Sequence, residues 1–185
     1  MKLKSYLFIL FLLLFLSISC SASENSSVLL VEINGTIDQS TVEILKEAMQ
    51  QAKNENSEVI ILLLNTPGGG LSETFEIAEM INTSQIPVVG FVYPTGSAAW
   101  SAGTFILMST HIAAMSDYTI IGSAQPVEIT FEGTKLVNDS KTINALVKLI
   151  ETRAEMYGRN QTTAGKFITE NLDLNSTMAK EYGVI

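Results

Sequence analysis

Val59-Ile60-Ile61-Leu62-Leu63-Leu64-Asn65-Thr66-Pro67-Gly68-Gly69-Gly70 decides the fold. Six apolar residues run without interruption into a glycine turn. An apolar run of that length without alternation suits a strand covered on both faces, as in a parallel sheet. The same unit recurs on either side of it. Val28 to Ile33 reads as an earlier strand, ended by Asn34-Gly35. A helix from Ser40 to about Lys53 follows, with Val42, Leu45, Met49 and Ala52 on one face. After the glycine turn the pattern predicts a helix over 72–81, a strand from Pro87 to Val92, a helix from Ala98 to Met108 and a strand from Ile112 to Met115. Strand–helix alternation means βαβ crossovers. The fold class is therefore α/β, built of repeated βαβ units with a mainly parallel sheet and flanking helices.

The second half changes texture. Thr119 to Gly133 is loop-like, with Gly122, Pro126 and Gly133. Asp139 or Ser140 then caps a helix that turns Ile143, Leu146, Val147, Ile150 and Ala154 inward and stops at Gly158. Helices over 163–171 and 176–182 complete the chain, and Val184-Ile185 read as the start of a strand.

The 185 residues suffice for one domain. The first of them read as a leader. Lys2 and Lys4 precede an apolar run from Tyr6 to Leu16, and small residues follow it. That is a secretory signal, because a mature spanning helix needs about 20 apolar residues. The expected division is a signal peptide over 1–22 and one folded domain over 27–185, exported to the extracytoplasmic side of the membrane. Cys20, the single cysteine, is either a lipid-modified N-terminus or is lost with the leader. It leaves no intrachain disulfide and no cysteine metal site. The net charge is −8, and the leader holds two of the eleven basic residues and none of the acids. An acidic chain of this kind argues against a nucleic-acid partner, whose phosphates reward clustered Lys and Arg.

Three features form a candidate hydrolase site. Ser101 lies in Gly96-Ser97-Ala98-Ala99-Trp100-Ser101-Ala102-Gly103-Thr104, the glycine turn precedes it, and Lys141 follows at the start of a long amphipathic stretch. A serine needs a base at neutral pH, and the developing oxyanion needs two rigid N–H donors. Ala102, in a first helical turn, presents an unpaired N–H. Gly69 is the natural second donor, since no Cβ keeps the backbone from the substrate. Strand C-termini of a parallel sheet share one edge, so the two turns can meet. Lys141 must be neutral to act as the base, and a helix N-terminus and desolvation both work in that direction. Each feature also has a plainer reading: an ordinary turn, a small-residue helix contact and a solvated lysine. Their order and setting carry the inference. His111, the one histidine, lies about 15 Å of helical rise beyond Ser101 and is expected to open the next strand. No pair of His or Cys has metal-ligand spacing, and neither a phosphate loop nor a dinucleotide fingerprint is present, so no metal or cofactor is expected. A bound peptide would lie extended beside Gly68, Gly70 and Leu71. Trp100, next to the serine, is the expected groove wall, and Phe75 and Phe105 are expected in the core.

These residues resemble a known family. Leu64-Asn65-Thr66-Pro67-Gly68-Gly69, Tyr93-Pro94, Ser101-Ala102-Gly103-Thr104, His111, Ala114-Met115, Ile121-Gly122-Ser123-Ala124 and Pro126-Val127 look like the NfeD family. Lys141, Gly158-Arg159-Asn160, Phe167-Ile168-Thr169 and Tyr182-Gly183-Val184-Ile185 continue the likeness. These are membrane-bound serine proteases encoded beside stomatin-like proteins, with a Clp-protease-like (crotonase-like) fold. The resemblance implies a Ser–Lys dyad endopeptidase. Ser101 falls on the nucleophile, Lys141 on the general base, and Gly69 with Ala102 on the oxyanion hole. It implies a hydrophobic polypeptide substrate such as a stomatin-like protein, a homodimer and association with a membrane. Two departures stand out. Trp100 occupies a position that is usually small in the family. Many members continue beyond the residues matching Val184-Ile185 into transmembrane helices and a small β-barrel, which leaves the natural end of this chain open. The alternatives are a relative of signal peptide peptidase A and an inactive scaffold that binds hydrophobic segments.

Overall fold

A computed structural model describes residues 27–131 and 133–185. The leader reading, with residues 1–22 and Cys20, lies outside them. In chain order the described elements are β1 (Val28–Asn34), α1 (Gln39–Asn54), β2 (Val59–Asn65), α2 (Leu71–Asn82), β3 (Val88–Val92), β4 (Ala98–Trp100), α3 (Ala102–Ser109), β5 (Ile112–Met115), β6 (Ile120–Gly122), β7 (Val127–Thr130), β8 (Gly133–Leu136), α4 (Ser140–Met156), α5 (Gln161–Thr169), β9 (Asp173–Asn175) and α6 (Ser176–Glu181).

The apolar runs pair as a parallel sheet in the order β1-β2-β3-β5. Leu62 stands opposite Val31 on one side and Gly90 on the other. The inner face carries Val31, Ile33, Ile60, Leu62, Leu64, Val88 and Val92, all buried in the core. A fully buried side chain of this size contributes about 1.5–3 kcal/mol relative to exposure. The outer face departs from the expected double cover. Burial along β2 alternates, so Val59, Ile61 and Leu63 are only half-buried. They align with Val28, Leu30, Val89, Phe91 and Ile112 into an apolar surface outside the main core cluster.

The helix starts follow local capping chemistry. Asp38 caps α1, accepting from the N–H groups of Ser40 and Thr41, two residues before the expected start. Asp139 caps α4 through Thr142, as expected. Three readings of the sequence are corrected. Ala98–Trp100 is a strand, not the first turn of a helix. Thr66 N–H donates to Ala98 O and Trp100 N–H to Thr66 O, while β6 pairs on the other side. The loop-like 119–133 segment contains β6, which pairs with β4 and β9, and most of the β7–β8 hairpin. Val184 does not begin a strand. With Gly183 at φ 72°, Gly183 and Val184 donate to Lys180 O and Ala179 O and close α6, and Val184 is fully buried.

Helix α3 differs from the others. All eight of its residues are buried. A helix apolar on every side belongs inside the molecule. At its N-terminus Ser101 faces the cleft beyond the C-terminal ends of β1 and β2, where Thr36 and Pro67 to Leu71 also lie.

Candidate active site

Ser101 sits between β4 and α3 with φ 51° and ψ −111°. This is a sparsely populated region for a residue with a Cβ, and such a conformation persists only when its surroundings hold it. Ser101 N–H donates to Gly122 O at 2.9 Å, and Ser101 O accepts from Phe105 N–H at 3.1 Å. Its own amide is thus spent in the fold. The amide of Ala102, in the first turn of α3, has no intrahelical partner.

The glycine turn meets Ser101 directly. A Cβ built on Gly68 would lie 2.8 Å from Ser101 Cβ and 3.3 Å from its Oγ. Gly68 has φ 108°, which a side chain would strain. The turn is held from behind: Ile37 N–H donates to Gly68 O, and Gly70 N–H donates to Ile37 O, each at 2.9 Å. Gly69 lies between these two bonds, and no described carbonyl accepts its N–H. The structure therefore brings together Ser101, Ala102 and the glycine turn.

They open into a cavity of about 690 Å³. Pro67, Gly68, Gly69, Gly70 and Leu71 form one wall, and Ser101, Ala102 and Phe105 form the floor. Val127, Glu128, Val137, Asp139, Thr142 and Leu146 form the opposite wall, contributed by β7, the link from β8 to α4, and α4. The size and the mainly apolar lining suit a ligand site. The hairpin wall had no counterpart in the sequence reading. Its signal was the Val127-Glu128-Ile129-Thr130 alternation followed by Gly133.

Lys141 is placed differently. It is exposed in the first turn of α4 and does not line this cavity. With Ala145 and Leu149, one and two turns on, it lines an adjoining groove of about 430 Å³ against Leu71 and Phe75. The helix period explains this. The stripe Thr142, Leu146, Ile150 faces inward, and position 141 is turned about 100° from it. Leu71, Thr142 and Leu146 border both spaces. Ser101 Oγ and Lys141 Nζ share no hydrogen bond.

Trp100 also stands apart from the cavity. Side chains of a strand alternate between faces. Ala99 is fully buried, so Trp100 points outward and is 41% exposed. Phe105, expected in the core, is mostly buried but also forms the apolar floor beside Ser101. Phe75 packs edge-on against it at 5.5 Å and faces the adjoining groove.

Charges around the site follow their partners. The Thr142 hydroxyl and amide hold the Asp139 carboxyl below the usual carboxylate range. At the far end of α3, Arg159 donates to Met108 O at 2.9 Å and Thr110 O at 2.8 Å. Burial lowers its pKa to about 10, which leaves it charged at neutral pH. His111 immediately precedes β5, the strand it was expected to open, and its Nδ1 accepts from Val88 N–H. Burial, with the nearby Arg159 charge, holds it below the ordinary imidazole range. Among the described residues no group of His, Cys, Asp and Glu is arranged to hold a metal ion. No described helix is long and apolar enough to cross a membrane.

Comparison with known proteins gives this geometry a context. The family model for the NfeD1b N-terminal domain matches residues 27–184. Membrane-bound protease PH1510 of Pyrococcus horikoshii is 36% identical over 159 residues, which are 85% of this chain and 36% of that protein. Membrane protein NfeD1b of Bacillus subtilis is 29% identical over 176 residues, which are 94% of this chain and 37% of that protein. The chain thus spans little more than a third of these relatives. A lysine-to-alanine mutant of the 1510-N membrane-bound stomatin-specific protease, solved with a substrate peptide, superposes with a TM-score of 0.82 at 35% identity, covering 86% of this chain and 74% of that one. A serine-to-alanine mutant of 1510-N gives the same TM-score and identity, covering 86% of this chain and 78% of that one. The ClpP catalytic domain of Plasmodium falciparum, 21% identical with a TM-score of 0.64 over 84% of this chain and 82% of that one, shares the fold.

Proposed function

Because the chain belongs to the NfeD1b N-terminal domain family, we propose that it is a serine endopeptidase whose nucleophile is Ser101. The observation that carries this reading is the contact of the glycine turn with Ser101 at the floor of a largely apolar cavity. Ser101 Oγ attacks the peptide carbonyl carbon. Lys141, as a neutral amine, takes the hydroxyl proton and returns it to the leaving amine. The oxyanion is held by the N–H groups of Gly69 and Ala102. Water, deprotonated by the same amine, then releases the acyl group and restores the serine. Lys141 reaches Ser101 only by moving from the adjoining groove past Thr142, so the dyad assembles as the peptide fills the cavity. The two 1510-N structures carry serine and lysine substitutions, the residue types this chemistry uses.

The substrate is an apolar segment of a membrane-associated protein, of the stomatin-like kind for which 1510-N is named. It lies extended along Gly68, Gly70 and Leu71. Residues 1–22 act as a signal peptide and residues 27–185 as the protease domain, which places the domain on the extracytoplasmic side of the membrane. Two copies pair through the outer face of the β1-β2-β3-β5 sheet. Apart from Glu32 its side chains are uncharged, so two acidic chains can approach there with little repulsion.

The exposure of Lys141 favours one other reading, a scaffold that holds apolar segments without cutting them. Labelling with a fluorophosphonate separates the two. The enzyme reading expects covalent labelling of Ser101 in the wild type and none in Ser101→Ala. Lys141→Ala and Lys141→Arg should both lose peptide turnover, because arginine does not become neutral at working pH. An unlabelled wild type that still binds apolar peptides would establish the scaffold. Full turnover by Lys141→Arg would remove Lys141 as the base.

A further inference from the structure

Thr104 lies one turn along α3 from Ser101, is fully buried and stands outside the cavity lining. Its hydroxyl nevertheless touches both strand ends that flank the serine. Thr104 Oγ1 lies 2.7 Å from Ala99 O and 2.9 Å from Gly122 O, and Gly122 N–H donates to it at 2.8 Å. A hydroxyl has one proton, so Thr104 accepts from Gly122 N–H and donates to one of the two carbonyls at a time. Gly122 O is the same oxygen that accepts Ser101 N–H. The backbone of Ser101, at its positive φ, is therefore tied to Gly122, and Gly122 is tied to Thr104. Ala99 O adds a second tie, two residues before the serine.

We propose that Thr104 is the positioning residue for the nucleophile, with its hydroxyl holding the Gly122 peptide where it can keep Ser101 in its strained conformation. This rests on Ser101 being the nucleophile. A methyl in place of the hydroxyl would take the side-chain acceptor from Gly122 N–H and the donor from Ala99 O and Gly122 O, leaving this buried strand end held by the β4–β6 and β6–β9 pairing alone. Gly122 would then shift, and Ser101 would move with it. Misplacement of a reacting atom by about 1 Å is enough to cost roughly a hundredfold in rate. A threonine buried only for packing would behave otherwise, because valine matches its shape and serine does not.

The test compares Thr104→Val with Thr104→Ser by fluorophosphonate labelling rate, by kcat and KM on an apolar fluorogenic peptide, and by thermal unfolding. Thr104→Val should label at least about tenfold more slowly and lose kcat with little change in KM. Thr104→Ser should unfold at a lower temperature, having lost a buried methyl, yet label within a few-fold of the wild type. Should Thr104→Val fail to fold, Thr104→Ala replaces it with the same slow labelling expected. Wild-type labelling by a folded Thr104→Val or Thr104→Ala overturns the proposal. So does a rate loss in Thr104→Ser as large as in the hydroxyl-free variants. A wild type that is not labelled at Ser101, or a Ser101→Ala variant that keeps turnover, refutes the nucleophile assignment itself and is seen without any Thr104 variant.

Discussion

Gly69→Ala tests the glycine turn most directly. A Cβ at this position would overlap Ile37 O and stand 2.6 Å from Ile37 N and 2.7 Å from its carbonyl carbon. These are backbone atoms, so no side-chain rotation relieves the clash. To reach ordinary contact, Ile37 and Gly69 must separate by roughly 1.4 Å. The Gly70 N–H to Ile37 O bond and the Ile37 N–H to Gly68 O bond, both 2.9 Å, then stretch to about 4 Å and fail. Each contributes about 1 kcal/mol net, for a loss of about 2 kcal/mol. A domain of this size loses about 2–4 °C in Tm per kcal/mol, so unfolding should move down by about 4–8 °C. The displaced Gly69 N–H should also lower the fluorophosphonate labelling rate of Ser101 by about 10²- to 10³-fold, the usual cost of one oxyanion donor. Gly70→Ala is the control for stability. Its φ of −66° suits alanine, and its only near obstacle is the movable carboxylate end of Glu73. Its Tm should hold or rise slightly. The reasoning is refuted if Gly69→Ala unfolds and labels like the wild type, or if Gly70→Ala loses as much Tm.

Arg159→Met leaves Met108 O and Thr110 O without their charged donor, and should lower stability by about 1.5–3 kcal/mol in urea unfolding, with Arg159→Lys recovering part of it. His111 is held below the ordinary imidazole range in the folded state, so the unfolded chain takes up its proton first as pH falls. Its contribution to stability is complete above about pH 6.5 and is lost progressively below that value. Urea midpoints measured from pH 8 to 5 should fall more steeply in the wild type than in His111→Asn. Phe105 floors the cavity and Trp100 does not, so Phe105→Ala should change the cleavage profile over a peptide library, while Trp100→Ala leaves it as in the wild type.

The chain by itself determined the layer architecture and the identity of the turn beside the serine. Apolar runs such as Val59 to Leu64 mark the sheet strands, although only Ile60, Leu62 and Leu64 of this run are fully buried, and Asp139 with the period of Leu146, Ile150 and Ala154 marks a helix. Helix α3 was legible as apolar, but not its start. That start depends on Thr66 and Gly122 pairing with 98–101 from distant parts of the chain, so local propensity extended the helix over β4. The cavity wall was out of reach for the same reason. The hairpin over 127–136 and α4 face the serine only after the crossovers bring them to one edge of the sheet. Tertiary structure also decided which way the named side chains look. Trp100 is next to Ser101 in sequence but points away, because Ala99 claims the inward face of β4. Lys141 adjoins Thr142, yet one step along a helix turns it into the neighbouring groove. Spacing along a chain selects candidate residues. The direction of each side chain is set by the element that carries it and by the neighbours that fill the core, and those neighbours meet only in the folded molecule.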